Sequence, residues 1–233
     1  MVNLTAEMAQ LWSSLGSPTP GQGRVVQFVA ATRAEGTSTI CREFARYAAG
    51  RTSRPVWLLD LDLLGGAQQA VLSGDPGRYG LLGRPSAATP DGSTFFTVQP
   101  PGKDREGRRL PDASYFSAQQ AGSTRLWVTR FRREMLRGGQ VPHLMPTADY
   151  WTAMRRHADL VVVDAPAAER SSAALTVAPF ADCNVIVVAA EQRDTRPPAA
   201  LRDALEQAGG RCAGIFFNRA RIATPGFLRA ILP

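Results

Sequence analysis

The stretch "AATRAEGTSTI" (30–40) follows an apolar run and opens a helix, and it holds the groups a phosphate site would use. Gly36 lets the backbone approach a ligand closely. Ser38 and Thr39 place hydroxyls in the first helical turn, where a hydroxyl can reach Mg²⁺ on a nucleotide. A strand, a tight turn and a helix N-terminus together present unpaired N–H groups and a partial positive charge, which attract phosphate. Three aspartates add hard oxygen ligands at the ends of apolar runs: Asp60 and Asp62 in "PVWLLDLD" and Asp164 in "DLVVVDAP". The full pattern G-x-x-x-x-G-K-[ST] is not met, because Ala31 stands at the first glycine and Thr37 at the lysine. The expected chemistry is therefore weak binding of ATP or ADP with Mg²⁺, at a site short of one cation.

The elements that must position these groups alternate along the chain. "RVVQFVAA" (24–31), "PVWLLDLD" (55–62), "RLWVTRF" (125–131), "DLVVVDAP" (159–166), "CNVIVVAAE" (183–191) and "CAGIFFNRA" (212–220) are predicted strands. "STICREFARYAAG" (38–50), "TADYWTAMRRHA" (147–158, with Thr147 as N-cap) and "PPAALRDALEQAG" (197–209) are predicted helices. Continuous Val/Ile/Leu strands alternating with amphipathic helices predict an α/β fold, a largely parallel sheet covered on both faces. Ligands of such sheets bind beyond the carboxyl ends of the strands, where the 31–39 loop and the aspartates would gather. Residues 1–23 are expected to form a short helix and a linker, 24–221 the nucleotide-binding-type domain, and 222–233 a tail. Within the domain, 73–124 is rich in Gly, Pro and Ser and predicts a loop-rich, partly disordered insertion.

Composition narrows the function classes. No apolar run approaches the ~18 residues of a membrane span, and "MVNLTAEMAQLWSSLG" does not read as a signal peptide. Cys41, Cys183 and Cys212 are isolated, which predicts a reducing cytosol and no disulfide framework. His143 and His157 lack companions for a zinc site. The net charge of +7 is almost all arginine, and Lys103 is the single lysine. If the loop needs an ammonium group, only Lys103 could supply one. Arg33, near the start of the loop, is the candidate arginine to compensate.

Taken in order, "EGTSTI", "VWLLDLDLL", "DLVVVDAP", "APFADCNVIVVAAEQRDTR" and "CAGIFFNRAR" resemble the bacterial tyrosine kinase (BY-kinase) family of exopolysaccharide and capsule systems, within the MinD/ParA group of P-loop ATPases. The resemblance covers roughly residues 24–72 and 125–221. It implies that the loop residues Ala34, Glu35, Gly36, Thr37, Ser38 and Thr39 lie against the nucleotide phosphates. Ser38, Asp60 and Asp164 would hold Mg²⁺, with Asp62 beside them, and Asn218 and Arg219 would lie by the base. The departures concentrate on catalysis. Thr37 replaces the phosphate-binding lysine, and Leu64 replaces an arginine of the D-x-D-x-R motif. Glu7, Gln10 and Ser13 stand in for the E-x-x-R-x-x-R ring motif, and "FLRAILP" carries no tyrosine where the family has a cluster.

The resemblance thus implies a catalytically impaired BY-kinase-like cytosolic subunit, peripheral at the inner membrane. Its expected partner is a Wzz-like membrane polysaccharide co-polymerase or other exopolysaccharide machinery, and a homodimer or monomer is expected instead of a ring. Asp60, Asp62 and Asp164 would then be relics of a catalytic site. Two alternatives stay open: an active MinD/ParA-like ATPase with a non-standard loop, and a positioning protein whose basic surface binds DNA. Nucleic acid is the less expected partner.

Overall fold

The computed structural model describes residues 3–220. The predicted tail, 222–233, lies outside the described residues. Ten strands follow in chain order: β1 (Arg24–Val29), β2 (Val56–Asp60), β3 (Ser86–Ala87), β4 (Phe96–Gln99), β5 (Phe116–Gln120), β6 (Leu126–Phe131), β7 (Val141–Leu144), β8 (Leu160–Asp164), β9 (Cys183–Ala189) and β10 (Cys212–Asn218). Eight of them make one sheet in the order β10-β9-β1-β8-β2-β6-β5-β3. From β10 to β6 every pairing is parallel, and β5 and β3 extend that edge antiparallel. β4 and β7 pair antiparallel in a separate ribbon.

The helices divide between the two faces. On one lie α1 (Thr5–Leu15), α2 (Thr37–Ala49), α3 (Gln68–Gly74) and the single turn α4 (Pro76–Tyr79); on the other lie α5 (Asp149–His157), α6 (Ala173–Val177) and α7 (Arg196–Gln207). Strand side chains alternate between faces. Val26, Phe28, Leu58, Val162 and Val185 therefore pack with Ile40 and Phe44 of α2. Val25, Val29, Leu59, Val161 and Ile186 pack with Met154, Val177, Leu201 and Leu205. The N-terminal helix belongs to the first of these cores. Met8 and Leu11 are buried, and the Trp12 ring lies 6.1 Å from Phe44 and 6.4 Å from Tyr47.

The region 73–124 is not a disordered insertion. It supplies β3, β4 and β5, and it buries Tyr79, Phe95, Phe96, Tyr115 and Phe116. The reason it reads as loop is physical. Its strands are two to five residues long; β3 and β4 pair with segments far away in sequence, and only β5 pairs with its neighbour β6, so little local period reports them. Thr147 is not the cap of α5: the helix starts at Asp149 after Ala148 with no side-chain cap, and the Thr147 hydroxyl donates to the Thr94 carbonyl instead. The helix after the loop begins at Thr37, one residue earlier than predicted.

Candidate functional site

The loop between β1 and α2 is held from three sides. Glu35 is buried; its Oε1 accepts from the Thr32 hydroxyl at 2.6 Å and its Oε2 from the Ala189 N–H at the end of β9. Glu35 thus anchors the loop to the sheet and does not offer its side chain to a ligand. Asn218 Nδ2 donates to the Glu35 carbonyl (2.8 Å), and Arg219 Nη2 donates to the Ala34 carbonyl (3.0 Å). On the third side the segment after β8 runs along the loop's start, with Ala168 N and Glu169 N donating to the carbonyls of Ala30 and Ala31.

These braces fix an unusual backbone. Ala34 has φ 62° and Gly36 φ 91°, both in the left-handed region. A side chain at Gly36 is excluded twice, because a Cβ there would also lie 2.1 Å from Asn218 Nδ2. The turn ends at the N-terminus of α2, which no side chain caps. Its first N–H groups have no intrahelical acceptor, and with the helix dipole they make an anion-binding end.

The aspartates meet as the sequence predicted. Asp60 and Asp164 are register partners on the adjacent strands β2 and β8. Ser38, in the first turn of α2, lines the same cleft as Asp164. Asp62 accepts from the Gly65 N–H (2.9 Å) through Oδ1 and pairs with Arg170 through Oδ2 (2.8 Å). All of them line one cleft of about 420 Å³ with loop residues 32–39. A larger groove of about 1120 Å³ between α1 and β10 meets the loop at Gly36, Thr39, Asn218 and Arg219, but carries none of these aspartates. The chemistry therefore gathers in the smaller space.

Sequence reasoning missed Gln68, which ties the site together. It is buried; Nε2 donates to Asp164 Oδ2 (2.6 Å) and to the Ser38 carbonyl (2.9 Å), and its N–H donates to Asp60 Oδ2 (3.2 Å). Arg42 Nη1 in turn donates to Gln68 Oε1 at 2.7 Å. No motif marks a glutamine eight residues after a strand-end aspartate. Only the return of the chain over the strand ends brings it there.

The cations are equally a matter of tertiary placement. Lys103 forms a bridge with Arg109 in the loop before the Asp112–Tyr115 turn and does not line the cleft. Arg33 is held to Glu169, by its N–H at 2.8 Å and its Nε at 3.5 Å, and is largely exposed. Arg42 and Arg170 line the cleft. Leu64, at the family's arginine position, is exposed and contributes no charge.

A buried carboxylate and a partly buried one on adjacent strands oppose one another's ionisation. Burial first, and then the Asp164 charge, push Asp60 up to about 7; burial likewise raises Asp164. Burial, with Asp164 beside it, also raises the Cys41 thiol well above its usual range. A carboxyl raised in the folded state binds a proton that the unfolded chain releases. Its stabilising contribution is complete below about pH 4 and fades as pH climbs through the folded value. Glu43 and Asp159 act in the opposite sense. Burial opposes their ionisation, but hydrogen bonds from Arg78 and Tyr79, and from Arg54 and Ser53, hold them below the usual range. Their loss is confined to pH below about 4.5. The melting temperature without metal is therefore expected to fall by several degrees from about pH 5.5 to about pH 8. Asp60→Asn flattens most of that slope. A melting temperature that climbs over the same interval contradicts the paired-carboxylate description.

The site thus combines an uncapped helix end for an anion with two facing carboxylates and a hydroxyl that suit a hard cation. Among the described residues no three His, Cys, Asp or Glu side chains form a self-sufficient metal cage. A cation here would take further ligands from a bound phosphate or water, as Mg²⁺ commonly does.

No protein-family model matches the chain, and no curated protein matches it. Solved structures do. The kinase domain of the Escherichia coli tyrosine kinase ETK matches with a TM-score of 0.58 at 18% identity, over 95% of this chain and 77% of that one. The VpsO kinase domain matches with a TM-score of 0.54 at 17% identity, over 93% and 95%. The septum site-determining protein MinD of Pyrococcus horikoshii OT3, solved with Mg-ADP, gives 0.54 at 14% identity over 90% and 77%. At such identities the likeness establishes the fold, a P-loop NTPase-type α/β domain common to kinase domains of this kind and to MinD ATPases.

Proposed function

We propose that the chain is a catalytically impaired, BY-kinase-like subunit that regulates bacterial exopolysaccharide assembly and binds a magnesium nucleotide weakly. The observation that carries this reading is Thr37, at the lysine position of a loop that is otherwise fully braced as a phosphate cradle. The first N–H groups of α2 would hold the phosphates. Ser38, Asp60 and Asp164 would hold Mg²⁺, whose role when bound is to neutralise phosphate charge. Asn218 and Arg219 would shape the wall beside the base while bracing the loop. Phosphoryl transfer depends on cations that stabilise charge in the transition state. The cleft has no lysine, and Leu64 adds no charge, so binding is expected to outlast turnover.

The tyrosines support the same reading. Of the four in the chain, Tyr79, Tyr115 and Tyr150 are buried, and Tyr47 lies under the Arg51 guanidinium at 3.5 Å. With MgATP and the purified chain, the expected result is no phosphotyrosine and phosphate release near background. Robust labelling of any of the four reverses the reading.

We read such a subunit as working in the cytosol at the inner membrane, with a Wzz-like co-polymerase as partner and a homodimer as its own assembly; the likeness to kinase domains of this kind supports that reading. No helix among the described residues is long and apolar enough to cross a membrane. Deleting the gene in its host is expected to change the amount or chain length of a surface polysaccharide. Unchanged polymer refutes the assignment to that machinery.

A further inference from the structure

One ion pair joins two residues that line the cleft, Arg170 and Asp62. Arg170 stands on the wall formed by the segment after β8, which is zipped to the loop's start through Ala168 and Glu169. Asp62 stands on the opposite wall, fixed by the Gly65 N–H. Their 2.8 Å contact crosses the space that opens onto Thr37, Ser38 and the α2 N-terminus. Both partners are partly exposed, at 43% and 23%, and an ion pair of that kind adds little stability.

The other two arginines of the cleft are committed elsewhere. Arg33 is anchored to Glu169 through both backbone and side chain, and Arg42 is spent on the buried Gln68 amide. Arg170 is the cleft cation whose carboxylate partner, Asp62, itself lines the cleft; Glu169, which faces the more exposed Arg33, does not. A nucleoside di- or triphosphate carries more charge than one carboxylate, and a guanidinium binds phosphate oxygens in a fork.

We infer that Arg170 supplies the cation that Thr37 cannot: when a nucleoside polyphosphate enters, Arg170 leaves Asp62 and pairs with phosphate oxygens. This rests on the proposed nucleotide site and assigns that site's charge to a residue far from the loop in sequence. Asp62 then acts as a competitor that holds the arginine in reserve. In its absence the arginine is free for phosphate.

The test is calorimetric titration of MgADP into the wild type, Arg170→Ala, Asp62→Asn and the double variant, with melting curves to confirm folding. Arg170→Ala is expected to weaken binding by roughly tenfold or more, and Asp62→Asn to tighten it several-fold. The gain from Asp62→Asn is expected to vanish once Arg170 is alanine, because the freed group is gone. Unchanged affinity in Arg170→Ala overturns the inference and leaves the nucleotide site standing. So does an equal gain from Asp62→Asn in both backgrounds, which would reflect only a removed negative charge. If Arg170→Ala does not fold, the Asp62→Asn arm decides, since no gain there overturns the inference as well. A wild type that binds neither MgADP nor MgATP overturns the nucleotide reading and this inference together.

Discussion

Thr37→Lys is expected to tighten MgATP by roughly ten- to a hundredfold and to leave turnover near background. A unit charge about 4 Å from a phosphate oxygen is worth ~4 kcal/mol at an effective dielectric near 20. The cleft is open, so screening reduces this to about 1.4–2.8 kcal/mol, the tenfold to hundredfold range. The loop is already braced by Glu35, Asn218 and Arg219, and the α2 N-terminus is uncapped. Thr37 is nearly buried but lines the cleft, so the longer side chain can extend into that space instead of into the core.

Hydrolysis needs more than affinity. It needs charge stabilised in the transition state and a positioned attacking group. Leu64 is exposed and neutral where the related motif has arginine. Calorimetry beside a phosphate-release assay on both proteins reads the two effects separately. Strong hydrolysis by the variant would mean that one residue is the whole defect. No gain in binding would mean that the loop lacks phosphate-binding geometry.

Phe95→Ala is expected to lower the unfolding free energy by about 3–5 kcal/mol, the range for removing a fully buried large aromatic. Phe95 comes from the stretch that reads as loop, yet it is the hub of a cluster. Its ring lies 4.9 Å from Tyr150 and 5.4 Å from each of Phe96, Phe116 and Trp151. Tyr150 and Trp151 belong to α5, so this one ring joins the 73–124 region to the helix beneath the central sheet. Edge-to-face contacts with Phe96 and Phe116 would be lost along with the buried area. Urea unfolding followed by tryptophan fluorescence measures the change directly. A peripheral loop would give a shift within about 0.5 kcal/mol, and such a result would detach this region from the core.

The sequence by itself determined the parallel sheet and the position of its functional edge. Apolar runs such as "DLVVVDAP" and "CNVIVVAAE" state their own burial, because a strand covered on both faces needs no polar alternation. An aspartate at the end of such a run can only emerge at the strand's carboxyl end, which is why Asp60 and Asp164 meet where expected. Gly36, the helix start and the missing lysine are likewise local facts of one short segment.

Tertiary structure decided the rest. Strands β3 and β4 exist because distant segments pair with them, and the aromatic cluster closes only when α5 arrives. Glu35 looks like a ligand-facing loop residue in sequence, but the end of β9 supplies the N–H that turns it inward. Gln68 reaches Asp164 and Ser38 only because the chain after Asp62 turns back over the strand ends. Lys103 is carried away from the cleft, and Arg170 is carried into it. Charge acts through space over a few ångströms, whereas sequence reports separation along the chain. Which cations line this cleft was therefore decided by the fold.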